Sequence, residues 1–278
     1  MSYITGLFTL ELFSTLVYVC FGLSNNSIDT QIECPSPSCT CSGISVTCSD
    51  NQLSCIPRFP GKIRQVFMLN TNLGNISDEG LSNLTFNYIF QLGLNNCSIK
   101  SLSQYAFMNV TSIKTLAISQ NPSLTMEDLH RSFKYLNTSL LRKIVLTYNS
   151  WNTLPNGMFH SLSLIEHIEL SGNKLRILNC TEFVSLHALN SLNVRSNHIS
   201  DVALEPIKSL RQLWLGDNKL IEIPNWCDVN FNSYFPNLLH LSLDNNLISE
   251  LSQISCLPKL KALSLASNVI ELIPTNAF

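Results

Sequence analysis

Between Ile165 and Leu178 the apolar positions fall at Ile165, Ile168, Leu170, Leu175 and Leu178, with Asn173 interposed, so the steps are 3, 2, 3, 2 and 3 residues. This is neither the 3.6-residue period of a helix nor the strict alternation of a long strand. It fits a short strand, with Ile168 and Leu170 on one face and Glu169 on the other, that bends sharply at the asparagine. The spacing recurs nine times along the chain. Its other copies begin at Ile63, Ile89, Ile113, Leu141, Leu189, Leu210, Leu238 and Leu260.

L-x-x-L-x-L-x-x-N-x-L is the signature of the leucine-rich repeat. Nine copies predict an α/β solenoid: a curved horseshoe with a parallel β-sheet on its concave face and a mostly irregular convex side. The third position after the second strand leucine forms a column at 71, 97, 121, 149, 173, 197, 218, 246 and 268 with periods of 21 to 28 residues. Thr71 and Cys97 fill the first two places, and Asn121, Asn149, Asn173, Asn197, Asn218, Asn246 and Asn268 the rest. A buried asparagine both donates to and accepts from backbone groups that a turn leaves without ladder partners, so these residues are expected to hold the coil together. Leu81, Phe107, Phe159, Phe183 and Phe278 lie ten residues further on and read as core of the return segment rather than as a ligand platform. The two 28-residue periods carry the insertions HRSFKYLNTS and NWCDVNFNSYFPN, expected as loops or short helical turns on the convex or lateral surface. Stacking of successive repeats brings Cys227 and Cys256 near each other, which makes a bridge between them an expectation.

Composition adds a compartment. The chain has 278 residues, 45% apolar and 13% charged, with formal net charge −2, so no basic excess points to nucleic acid. Residues 1–24 read as a secretory signal: an apolar run from Tyr3 to Leu23, interrupted by Glu11, then polar residues. Sequons at Asn25, Asn75, Asn83, Asn96, Asn109, Asn137 and Asn179 offer glycans to a surface poor in charge, and none follows Asn179. Ten cysteines agree with an oxidising compartment, and loss of Cys20 with the signal leaves an odd number. Residues 34–60 are a cysteine-rich segment ahead of the first repeat, read below as a cap, and residues 61–278 carry the nine repeats. Cys34, Cys39, Cys41 and Cys48 could in principle close a zinc site, but C-x-C spacing suits one poorly. Cys55, Cys97 and Cys180 have no partner assigned by sequence. The last repeat stops at Phe278 without a second cap, which reads as a fragment of a longer protein.

The cysteine pattern resembles the N-terminal cap of extracellular leucine-rich repeat proteins. That resemblance implies the pairs Cys34–Cys41 and Cys39–Cys48, where four cysteines alone allow three connectivities. The cap, the repeats and the phrase YLNTSLLRKIVLTYNSWNTLPNGMF look most like the ectodomain of a Toll-like receptor. This implies innate immune recognition of microbial or endogenous ligands, a receptor dimer partner, and a membrane link through a segment beyond this sequence. The second reading is a secreted, matrix or adhesion protein that mediates protein–protein interaction.

No catalytic constellation is present and no cofactor is expected. A concave face is the natural binding surface, and alternation turns His167, Glu169, Arg195, Trp214, His240 and Asp244 toward it. Trp214 is a candidate hot spot or a packing partner of Arg195 and His240, while Glu169 and Arg195 could simply pair across adjacent strands. Protein, lipid or glycan ligands fit this neutral face, and nucleic acid fits it least. The sequon-free later repeats, around Trp214 and His240, are expected to carry the contacts.

Overall fold

A computed structural model describes residue 34 and residues 36–78, 80–179, 182–183, 185–251 and 256–273. The signal reading of residues 1–24, the sequon at Asn25, Cys20, Cys180 and Phe278 lie outside the described residues.

Eleven strands form one curved sheet in chain order. The first two, Cys39–Ser42 and Ser45–Ser49, are an antiparallel hairpin. Its second strand continues in parallel into Gln65–Leu69, and every later join is parallel. The cap is therefore the first rung of the sheet and not a separate lid. Cys34 is bonded to Cys41 and Cys39 to Cys48, and Cys55 is also disulfide-bonded. The hairpin places Cys39 opposite Cys48 in register, which sets that bridge across the rung it stabilises.

Register is kept without slip. Val46, Val66, Leu92, Leu116, Ile144, Ile168, Leu192, Leu213 and Leu241 occupy one column and are buried. A one-residue shift would turn every one of them to solvent, at ~1.5–3 kcal/mol for each aliphatic side chain, so burial itself fixes the pairing. Leu263, next in the column, is only half-buried, as are Leu265 and Ile270 in the same layer. Behind the sheet, Leu81, Phe107, Phe159 and Phe183 are buried, and the Phe159 and Phe183 rings lie 5.7 Å apart. The aromatic column is core.

The convex side is largely irregular. Its one α-helix among the described residues, Met126–Phe133, starts ahead of the expected insertion and is capped by Thr125, whose side chain accepts from the Asp128 amide. Met126, Leu129 and Phe133 are buried beneath it. The second insertion is tied down by a disulfide between Cys227 and Cys256.

The bend that follows each strand is left-handed in backbone conformation. Asn70, Asn96, Gln120, Tyr148, Gly172, Ser196, Asp217, Asn245 and Ser267 have φ between 51° and 71°. Each immediately precedes a member of the asparagine column. A residue with a Cβ pays roughly 1–2 kcal/mol for this region, and Asn, Asp, Gly and Ser, which tolerate it best, fill most of the places.

The asparagines supply what the bend removes. The Asn173 amide nitrogen donates to the Leu146 carbonyl of the preceding repeat at 2.8 Å and to Leu170 at 2.9 Å. Its oxygen accepts from the backbone of Asn149 at 3.0 Å and Trp151 at 3.4 Å. The same two-sided linkage is made by Asn121, Asn149, Asn197, Asn218, Asn246 and Asn268. Cys97 reproduces half of it. Its buried thiol donates to the Met68 carbonyl at 3.3 Å, and burial pushes its pKa up, which keeps it protonated and unreactive.

Removing the Asn173 amide takes a partner from the Leu146 carbonyl and from the Asn149 and Trp151 amides in a dry interior, while the Leu170 carbonyl keeps its bond from Asn197. Asn173→Ala should destabilise the coil by ~1–3 kcal/mol, whereas exposed Lys174→Ala should change stability by less than ~0.5 kcal/mol. Urea midpoints of the two variants check this; equal shifts would remove the column from the account of stability.

Candidate functional site: the concave face

The face opposite the core column is built from strand residues that alternate with it. Phe67, Gly93, Ala117, Val145, Glu169, Asn193, Trp214, Ser242 and Ser264 form the central line, one per strand in register. A second line places Lys143 beside His167, and Gln212 beside His240. His167, Glu169, Trp214 and His240 are all half-buried on this face. In the first repeats Phe67 lies over Gly93, where a Cβ would come within 2.9 Å of its ring.

Arg195 and Asp244 belong to a third line, two residues beyond Asn193 and Ser242, and the structure brings them together. The Arg195 guanidinium donates to both carboxylate oxygens of Asp244, at 2.6 and 3.2 Å, and to Asp217 at 2.9 Å. It also donates to the Ser242 hydroxyl at 3.1 Å, and that hydroxyl in turn donates to Asp244. Asn245 donates to the second oxygen of Asp217 at 2.8 Å. Bidentate guanidinium–carboxylate geometry is among the stronger charged pairings available to a surface.

The reach is made possible by Gly216. It occupies the same line on the intervening strand, and a Cβ there would come within 2.9 Å of both the Arg195 guanidinium carbon and an Asp244 oxygen. Any larger residue would stand between the two charges. The alternative that Arg195 simply pairs with Glu169 is not the arrangement observed: with a glycine at the equivalent place in the next repeat and carboxylates at 217 and 244, Arg195 reaches toward the later repeats. Asp217, Ser242, Asn245 and Gly216 were not singled out from sequence. The signal available was the line itself, in which a cation and a carboxylate flank a glycine at equivalent repeat positions.

Burial works against the Asp244 carboxylate, but hydrogen bonds from Ser242 and Arg195 outweigh it and hold its pKa below the usual value. Arg195 is correspondingly raised, first by its bond to Asp244. The cluster holds one guanidinium and two carboxylates and so carries a net negative charge.

The sequons divide by environment. Asn75, Asn96, Asn109, Asn137 and Asn179 are exposed. Asn83 is half-buried, and its amide nitrogen donates to the Ile56 carbonyl at 2.8 Å. The Asn96 amide reaches Asn70 of the preceding repeat at 2.8 Å, at the outer edge of the sheet. Among the described residues no group of His, Cys, Asp or Glu is placed to hold a metal ion, and no helix is long and apolar enough to cross a membrane.

A family model described as leucine rich repeat matches residues 139–199. Bovine osteomodulin is 27% identical over 84% of this chain and 48% of its own length. Human lumican is 26% identical over 92% of this chain and 72% of its own, and chicken keratocan 23% identical over 78% and 60%. The chain is an extracellular leucine-rich-repeat solenoid protein. It spans about half the length of the osteomodulins it matches, 48% of the bovine and 44% of the rat protein. In fold, the solenoid is similar to human 5T4 (trophoblast glycoprotein), with a TM-score of 0.63 at 21% identity over 78% of this chain and 82% of that one. It is similar also to TLR13 in complex with ssRNA13, with a TM-score of 0.56 at 22% identity, covering 78% of this chain and 34% of that one.

These likenesses correct the assignment to a Toll-like receptor, together with innate immunity and a membrane-bound receptor role. Osteomodulin, lumican and keratocan are among the sequence relatives of the solenoid, and its likeness to TLR13 is one of fold. The cap and the repeats that suggested the receptor belong to the solenoid as such and do not separate the two classes.

The charge cluster makes stability depend on pH with a definite sign. The folded pKa of Asp244 lies below its unfolded value of about 3.9, so its contribution is complete above that value and is lost as pH falls through the folded one. Arg195→Met should therefore lower the urea midpoint at pH 7 and shrink the loss that wild type shows between pH 7 and pH 3. An undiminished loss in the variant would mean the cluster does not bear on folding.

Proposed function

We propose that this solenoid is a secreted matrix or adhesion protein that binds a protein partner on the concave face of its later repeats. The observation that carries this reading is the cluster of Arg195, Asp217, Asp244 and Ser242 beside Trp214. It is a fixed, partly buried arrangement of hydrogen-bonding groups next to a half-exposed indole. Preorganised polar groups around an aromatic anchor are what a binding hot spot requires, because little side-chain entropy is left to lose. Likeness to osteomodulin, lumican and keratocan supports the class.

Charge favours a protein over an anionic glycan or nucleic acid. Glu169, Asp217 and Asp244 outnumber Arg195 and Lys143 on this part of the face, so an anionic glycan or nucleic acid is repelled and a basic protein surface is favoured. The sequon-free span after Asn179 leaves the same repeats unobstructed by N-linked glycan.

One substitution tests the reading. His240→Asn creates the sequon Asn-Leu-Ser with Leu241 and Ser242, and so places a glycan in the hollow beside Trp214. Proteins captured by the wild-type chain from an extracellular-matrix extract should fall at least about tenfold with the glycosylated variant. They should be retained by His240→Gln, which carries no glycan. Equal recovery by all three chains would place binding elsewhere.

A further inference from the structure

The second insertion ends in a hairpin tip that exposes two large apolar side chains, Val229 at 94% and Phe231 at 82%. The tip is rigid. Asp228 accepts hydrogen bonds from the backbone of Asn230 and Asn232, both at 2.8 Å, and from the Asn232 amide at 2.7 Å. Its own carbonyl accepts from Phe231, and Phe231 is held at φ 60°, a region bulky side chains avoid. At the base, Cys227 is bonded to Cys256, and buried Trp226 packs edge-on against Phe235. An apolar pair fixed in water on a strained, stapled turn has no role in the core and is shaped for insertion.

A receptacle lies beside it. A cavity of about 390 Å³ opens on the convex side, with Phe183, Leu186 and Ile207 as its floor and His187, Pro206 and Lys208 at its rim. It adjoins the return limb of the insertion that carries the tip, since the Ile207 amide donates to the Tyr234 carbonyl at 3.0 Å and the Asn237 amide to the Lys208 carbonyl at 2.9 Å. Knob and hole are complementary in chemistry: an apolar pair beside the Asp228 carboxylate, against an apolar floor beside the Lys208 ammonium.

We infer that a second copy of this chain is the partner of this surface, the Val229–Phe231 tip of each copy entering the Phe183–Ile207 cavity of the other. Adjacent knob and hole on one molecule make a self-complementary patch, which a two-fold axis satisfies twice. The stretch from Asn225 to Pro236 has no Lys or Arg, which disfavours an anionic membrane as the alternative occupant.

Sedimentation equilibrium of the secreted chain tests this. With two small apolar contacts per dimer, the mass should rise from one copy toward two between roughly 1 and 100 μM. Phe231→Ser should stay monomeric across that range, and Lys208→Glu should move the midpoint upward by about tenfold. Ile221→Ser, an exposed apolar change on another surface, should leave it in place. Near-ultraviolet circular dichroism checks that each variant is folded. A wild-type chain that is monomeric throughout overturns the inference, whether or not it floats with phosphatidylserine vesicles, as does a folded Phe231→Ser chain that still dimerises. None of these readouts involves the concave face, so failure here leaves the proposal for Trp214 and Arg195 standing.

Discussion

Each repeat must reverse out of the sheet within about two residues, and the only backbone route taken is through the left-handed region. That bend strips hydrogen-bond partners from the backbone on both sides of it and buries the bare groups. A single amide side chain in the next position restores them, with its nitrogen on carbonyls and its oxygen on amides of the repeat before. Because the donor belongs to one coil and the acceptors to its neighbour, a local remedy becomes the bond between repeats. The in-register sheet, the buried leucine column and the flat concave face all follow from a turn that can be repeated.

This also explains where the structure tolerates variation. Convex segments carry neither the bend nor the amide, so they differ in length, hold a helix at Met126–Phe133, and accept a disulfide-tied insertion at Cys227. The concave face cannot vary in length without breaking register, and it varies in side-chain chemistry instead. Arg195, Gly216 and Asp244 occupy equivalent places on three successive strands, and the middle one is a glycine so that the outer two can meet. Binding chemistry is thus written across repeats, on a scaffold whose spacing is set by groups beneath it.

Most of the fold was legible in the sequence. Periodicity at Ile168, Leu170 and Asn173 predicts strand, bend and burial, and the ninefold recurrence predicts stacking. Less of the site was legible. His167, Glu169, Trp214 and His240 lie on the predicted face, but the partners of Arg195 were not legible, because a glycine in the next repeat opens a reach to Asp244 that nearest-neighbour reasoning does not reveal. The cap and repeats were read as marks of one receptor class, although a cap answers only a solenoid's need for a closed end.

What the sequence determined by itself is the set of interactions that depend on position within a repeat: which residues turn inward, which asparagines are buried, and which cysteines stack. These obey local rules of alternation and turn chemistry and need no knowledge of the whole. Tertiary structure decided what depends on position across repeats. The Arg195 cluster joins residues 22 to 49 apart in the chain, and the insertion meets its cavity from another repeat in the same way. Their contacts exist only once the coil fixes the distance between one turn and the next, because charge pairing and shape complementarity are set by separation in space and not along the chain.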